Sequence, residues 1–183
     1  MKKDSLVVVF TGENKGKTSA ALGLLARALG AGQRVCWASF IKSWPVSEDK
    51  FFERIQPVFG ERLEFYKGGK GFYKAGDLSA AGVSEAEHQR AAQETYDLAL
   101  AAATSGDWDL VICDEINNAA ADGLLPPEKL KELIERRMGR TSLCLTGRSF
   151  PDELLPLVDI ATEMKKLKHH FDDGFVAMEG IDF

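Results

Sequence analysis

The chain is poor in the residues that most often advertise chemistry, with three histidines and three cysteines among 183 residues. Cys36, Cys113 and Cys144 each lie inside a short apolar run (VCWASF, LVICDE and SLCLTG) and show no metal-ligand spacing, so they read as reduced, buried thiols. His88 falls in a helical stretch and His169-His170 near the end of the chain, without a partner at i+4 or a nucleophile motif; a structural or surface role is expected for each. There is no basic excess. The net charge of -5 and pI near 5.3 argue against a polyanion-binding surface, and nucleic acid is not expected as a partner. The opening MKKDSLVVVF holds an apolar run of only a few residues, too short for a signal segment or a membrane span, so a cytoplasmic protein is expected, with no membrane partner. Internal repeats and low-complexity tails are also absent, and the length suits one compact domain over residues 1–183.

What is present is an alternation of strand-length apolar runs with longer helical segments, the pattern of an α/β domain with a mostly parallel sheet. Strands are expected at Leu6 to Phe10, Arg34 to Phe40, Leu63 to Tyr66, Trp108 to Asp114, Ser142 to Thr146 and Ile160 to Met164. Most are continuously hydrophobic, as strands covered on both faces should be. A first helix follows Gly16 and stops at Gly30; its ALGLLARAL core is apolar on nearly every face and predicts deep packing. A second opens at Ser84, where Ser84 and Glu87 fit a capping box, and Gly106 is a plausible stop. A third begins around PPEKLKELIERR, with Leu130, Leu133 and Ile134 at core spacing and Pro127 in the first turn. Lys67 to Gly82 is glycine-rich and aperiodic, a loop long enough to be functional or disordered.

The stretch VVVFTGENKGKTS carries the first chemical signal. The strict phosphate-loop pattern G-x-x-x-x-G-K-[ST] fails, because five positions before Gly16 stands Thr11, and Gly12 comes one place late. The mechanical part survives: a hydrophobic strand, a tight turn, then Gly16-Lys17-Thr18 opening a helix whose N–H groups and dipole converge on an anion. Thr11, Gly12, Glu13, Asn14, Lys15, Gly16, Lys17, Thr18 and Ser19 are therefore the candidate nucleotide-binding residues, with Lys17 on phosphate oxygens and Thr18 offering its hydroxyl to Mg²⁺. Asn14 stands where a glycine is expected and is among the few other residues that visit positive φ at modest cost. The bland alternative is a solvated lysine-rich turn. Against it, WDLVICDEIN supplies Asp114 and Glu115 after an apolar strand, the place of a metal-holding carboxylate. Two halves of a nucleoside triphosphate site occur in the expected order.

A kinase would need an oriented acceptor hydroxyl, and an ATPase a residue to position water; neither is spelled out. The ordered set TGENKGKTSAALGLLARALGAGQRV, FIK (Phe40 to Lys42), GKGF (Gly69 to Phe72), CDEINNAAADGLL (Cys113 to Leu125), LTGR (Leu145 to Arg148), DIATEM (Asp159 to Met164) and GIDF (Gly180 to Phe183) resembles the ATP:corrinoid adenosyltransferases of the cob(I)yrinic acid a,c-diamide type, nearly end to end. The resemblance implies a P-loop NTPase (RecA-like) three-layer fold, usually a homodimer, and transfer of the 5'-deoxyadenosyl group of ATP to Co(I) of a corrinoid with release of triphosphate. It also implies an electron donor that reduces cobalt. The offset glycine then belongs to the family's own TGxxKGKT form. A base is not required, because Co(I) is itself the nucleophile.

On this resemblance Lys17, Thr18 and Glu115 form the catalytic set. Lys15, Lys17 and the backbone from Asn14 to Thr18 hold the triphosphate, and Thr18 and Glu115 hold Mg²⁺ with Asp114 as a further ligand. Arg27, in the family's helix motif, either reaches a phosphate or is an ordinary helix arginine, and Arg148 in LTGR lies beyond a strand's carboxyl end, where ligands of open α/β sheets gather. Phe72 and Tyr73 would present an apolar face to the corrin. Here the chain departs from the family: GFTW is replaced by Gly71-Phe72-Tyr73-Lys74, and Lys74 offers no aromatic plane, while Trp44 either compensates or packs. A P-loop kinase or ATPase, or a non-catalytic corrinoid- or nucleotide-binding protein, are the rival expectations.

Overall fold

A computed structural model describes residues 3–71, 73 and 82–181. Six strands, β1 (Val7–Thr11), β2 (Val35–Ser39), β3 (Leu63–Lys67), β4 (Leu110–Asp114), β5 (Ser142–Thr146) and β6 (Ile160–Glu163), form one sheet in the order β3-β2-β4-β5-β1-β6. Every neighbouring pair is parallel. Among the described residues the connections hold five α-helices, α1 (Lys17–Gly30), α2 (Ser47–Phe59), α3 (Glu85–Ser105), α4 (Ile116–Ala121) and α5 (Glu128–Arg136), and a 3-10 helix at Asp152–Leu157 between β5 and β6. The result is the three-layer α/β arrangement of a P-loop NTPase.

The apolar strands follow from the layers. Side chains alternate across a strand, so a strand covered on both faces must be hydrophobic at every position. Val35 and Trp37 of β2, with Leu110 and Ile112 of β4, join Ala21, Leu25 and Leu29 of α1 and Phe52 of α2 in one core. Their alternates Cys36, Ala38, Val111 and Cys113 join Tyr96 and Ala99 of α3, Ile116 of α4 and Leu130, Leu133 and Ile134 of α5 in the other. All three cysteines are buried and free, as expected. The outer strand β6 is exposed along its whole length.

Strand positions agree with the sequence reading to within two residues, and β5 agrees at both ends. The capping box is formed, with the Glu87 N–H donating to Ser84 Oγ and the Ser84 N–H donating to the Glu87 carboxylate at 2.8 Å. Gly106 ends α3 at φ 76°. The expectation of deep packing for α1 is corrected: only Ala21, Leu25, Ala28 and Leu29 are buried, and alanine and glycine fill much of the open face. Two helices had no expectation. Helix α2 carries Pro57 inside its last turn and buries Phe52 alone, a weak apolar stripe; α4 spans six residues and starts from Glu115, a non-glycine residue at φ 65°.

Phe52 is what fastens α2 to the sheet. Its ring lies 5.3 Å from Trp37 and stacks at 4.1 Å on Phe65. Phe52→Ala is expected to cost about 3–5 kcal/mol in urea unfolding, whereas Val58→Ala, at a position 72% exposed on the same helix, should stay within about 0.5 kcal/mol.

Candidate functional site

A parallel sheet brings all strand carboxyl ends to one edge, and β5 sits between the loop-bearing β1 and the carboxylate-bearing β4. The turn after β1 is built on two left-handed glycines. Gly12 (φ 105°) packs so tightly on β6's continuation that a Cβ there would lie 2.6 Å from the Met164 carbonyl oxygen. Gly16 (φ 115°) delivers the chain into α1. The offset glycine is thus required where it stands. The expectation for Asn14 is corrected: among the described non-glycine residues only Glu115 and Ser149 have positive φ. Lys17 Nζ donates back to the carbonyls of Gly12 (2.6 Å) and Asn14 (2.5 Å), spanning the turn. The Thr11 hydroxyl is turned away to accept the Phe150 N–H at 3.3 Å.

Asp114 is 1% exposed, yet both its oxygens are engaged. Oδ1 accepts from Thr18 Oγ1 at 3.0 Å and Thr146 Oγ1 at 2.8 Å, and Oδ2 accepts from Lys42 Nζ at 2.9 Å. Thr146, at the end of β5, also accepts the Glu115 N–H at 2.9 Å, so the intervening strand ties the two halves of the site together. Glu115 Oε2 is buried without a hydrogen-bond partner. Burial, and then the Asp114 charge, raise the Glu115 carboxyl to about 7. Lys42 Nζ also reaches Thr18 Oγ1 (3.2 Å) and Glu48 Oε1 (3.4 Å). Burial acts against its charge, but Asp114, Glu115 and Glu48 together outweigh that and hold it above the ordinary lysine value.

Buried Asn117 and Asn118, in α4, brace the loop after β5. Asn118 Oδ1 accepts the Arg148 N–H at 2.7 Å and Asn117 Nδ2 donates to the Gly147 carbonyl at 3.4 Å; a Cβ on Gly147 would lie 2.5 Å from Asn118 Oδ1. Arg148 is exposed and close enough to help, after burial, in lowering the Lys17 pKa. Both cations therefore bear on the phosphate loop. Arg27 is not brought there. It lies roughly 15 Å along α1 from Lys17 at a rise of 1.5 Å per residue, beside Gln33, Leu110 and Ser142 at the amino ends of β4 and β5.

A cavity of about 440 Å³ opens over the turn, lined by Asn14 to Ser19, Lys42, Glu48 and Glu115 on its polar side. This is within the roughly 300–1,000 Å³ usual for small-molecule sites. Leu22, Trp44, Val46, Phe51 and Ile181 supply an apolar wall. The turn at Gly180 and Ile181 reaches the cavity because the Gly180 N–H donates to Ser47 Oγ at 3.0 Å and Lys50 pairs with Glu179. Of the residues expected to face a corrin, Phe72 lies outside the described residues, as does Lys74. Tyr73 is half-buried, with its ring 5.3 Å from that of His88, and does not wall the cavity. Lys42, Glu48, Thr146, Asn117 and Asn118 were given no role by sequence reasoning; FIK, LTGR and DEINN held four of them, but only folding shows what each touches.

A strand–loop–helix phosphate cradle facing a buried strand-end carboxylate, on an all-parallel sheet, defines a P-loop nucleotide-binding protein. The sequence takes it further: a profile of the family described as ATP:corrinoid adenosyltransferase BtuR/CobO/CobP matches residues 3–183, and the chain belongs to that family. It is 32% identical over 179 residues to the corrinoid adenosyltransferase of Escherichia coli K12, covering 97% of this chain and 85% of that one. It is 33% identical over 184 residues to corrinoid adenosyltransferase CobA of Salmonella typhimurium, with 97% and 85% covered. The Pseudomonas aeruginosa corrinoid adenosyltransferase is 31% identical over 179 residues, with 97% and 83% covered.

Glu115 gives a pH-dependent stability. Its carboxyl titrates near 7 in the native protein against an ordinary 4.5, so the native state binds the proton more tightly than the unfolded chain. Stability is then greatest below the unfolded value, falls as pH rises through this interval, and levels off above it. Glu115→Gln should match the ligand-free wild type in urea unfolding at pH 4 and exceed it by about 3 kcal/mol at pH 8. Arg27→Ala is expected to leave ATP affinity in equilibrium dialysis within about twofold, as befits a residue remote from the loop.

Proposed function

We propose that this chain transfers the 5'-deoxyadenosyl group of ATP to the Co(I) centre of a corrinoid and releases triphosphate. The observation that carries the reading is the coincidence of a family match over residues 3–183 with a phosphate cradle and a carboxylate cluster at one sheet edge. Backbone N–H groups from Asn14 to Thr18, with Lys15 and Lys17, hold the triphosphate, and Arg148 adds a third cation. Thr18, Asp114 and Glu115 suit a hard divalent cation: all offer oxygen, and the unpartnered Glu115 Oε2 has capacity for one. Mg²⁺ held there would neutralise phosphate charge.

In the transfer the cobalt electron pair forms the Co–C bond at C5' as the C5'–O bond breaks, and the pair of that bond leaves with triphosphate. The protein's task is alignment and stabilisation of the departing charge, which Lys15, Lys17 and Arg148 provide. The apolar wall of Leu22, Trp44, Val46 and Phe51 gives the adenosine a surface to pack on. Phe72 and Tyr73 remain the proposed corrin contacts, with an external electron donor supplying Co(I). A single domain working as a cytoplasmic homodimer completes the reading.

One feature favours a second reading: a carboxyl titrating near 7, as Glu115 does, suits a general base in a phosphoryl-transfer enzyme. The two are separated by product. With MgATP and chemically reduced corrinoid, a photolabile Co–C product and equimolar triphosphate are expected; ADP without adenosylated corrinoid would overturn adenosyl transfer. Lys17→Ala should lower kcat/KM for adenosylation at least about 100-fold.

A further inference from the structure

The Lys42 side chain touches both Thr18 and Asp114, two of the residues proposed above to hold the divalent ion. Its ammonium lies 2.9 Å from Asp114 Oδ2, 3.2 Å from Thr18 Oγ1 and 3.4 Å from Glu48 Oε1, on a side chain 13% exposed. Three N–H donors thus meet three oxygens from α1, β4 and α2, much as a small cation would. Its backbone is equally constrained. The Phe40 N–H donates to the Asp114 carbonyl at 3.0 Å, the Gly68 N–H to Ser39 at 3.0 Å and the Gly71 N–H to Ile41 at 2.9 Å. A Cβ on Gly69 would lie 2.7 Å from the Lys42 amide nitrogen, so the backbone at Gly69 presses directly on this segment.

We propose that Lys42 is a built-in counter-cation that occupies the divalent-metal position in the ligand-free protein, so that the metal enters only together with a triphosphate. A divalent ion bonds oxygen at about 2.1 Å. An ion on Thr18 Oγ1 and Asp114 Oδ2 would collide with the ammonium that now shares those atoms, and like charge in a water-poor site forbids both. A triphosphate on the loop changes the balance, because its oxygens offer the ammonium a new partner and the metal additional ligands. Lys42 then moves from carboxylate to phosphate as the metal takes its place. The device gives the site a reason to bind metal–nucleotide rather than free metal, and it keeps Asp114 paired in the meantime.

The inference rests on the assignment of Thr18 and Asp114 as metal ligands, and the test separates the two. Mn²⁺ binding is read by the loss of the free-ion EPR signal, with and without ATP, in wild type, Lys42→Met, Lys42→Gln and Asp114→Asn, each checked for folding by circular dichroism. Without nucleotide, the Lys42 variants should bind Mn²⁺ at least tenfold more tightly than wild type. Addition of ATP should tighten Mn²⁺ strongly in wild type and much less in those variants. If both folded Lys42 variants bind nucleotide-free Mn²⁺ no more tightly than wild type while Asp114→Asn weakens Mn²⁺ in the ATP complex, the counter-cation role is wrong and the ligand assignment stands. If Asp114→Asn leaves Mn²⁺ in the ATP complex unchanged, the ligand assignment fails and the inference falls with it. Should neither Lys42 variant fold, the wild type decides: without nucleotide it is expected to bind Mn²⁺ no more tightly than Asp114→Asn does, and nucleotide-free binding that Asp114→Asn weakens about tenfold would overturn the proposal.

Discussion

The Asp114 carboxylate is the group around which this molecule is organised. A buried charge is tolerated only when its oxygens are matched by donors, and here three converge from separate places in the chain: Thr18 from the first turn of α1, Thr146 from the end of β5 and Lys42 from the segment after β2. Each contact also fixes something else. Thr18 sets the phosphate loop over β4, Thr146 holds the Glu115 amide, and Lys42 ties in the glycine-rich segment through Ile41 and Gly71. The sheet order makes this geometry possible, because parallel strands deliver all the carboxyl ends to one edge.

Around that group the site holds opposing charges in close quarters. Lys17 is lowered by burial and by Arg148, Glu115 is raised by burial and by Asp114, and Lys42 is raised by its carboxylate neighbours. Lys17 satisfies itself on its own loop's carbonyls, and Glu115 keeps one buried oxygen without a partner. Such an arrangement is costly for the free protein, and under the proposed function a complex that brings both phosphate and a divalent cation would relieve it. The left-handed backbone at Glu115 belongs to the same pattern, since strain of this kind persists where surrounding contacts over-determine it.

Much of this was legible in the chain beforehand. The inner strands β1, β2, β4 and β5 announced themselves because burial on two faces demands hydrophobic residues, and α3 and α5 because caps and core spacing are local signals. The helix α2 was not legible, since Pro57 is a helix-breaking signal in its last turn and Phe52 alone is buried. The apolar run of α1 suggested deeper packing than occurs, because small residues such as Ala26 and Gly23 count as apolar while lying open to solvent. Asn14 has the residue type of a glycine substitute, but the turn's positive φ angles fall on Gly12 and Gly16. Arg27 is attractive only as part of a motif, and helix rise carries it away from the Gly12–Thr18 turn.

The sequence by itself determined the phosphate loop, the strand-end Asp114-Glu115 pair, the parallel α/β class and, through an ordered set of motifs, the family, because these signals depend on residue type and short spacing. Tertiary structure alone decided that Lys42 meets Thr18 and Asp114, that Asn118 braces Arg148, and that the turn at Gly180 and Ile181 walls the cavity. The partners of those contacts are separated by up to 133 residues, as in the bond from Gly180 to Ser47. No local propensity carries such information; it arises only when the sheet brings the strand ends to one edge and buried polar groups must find their donors.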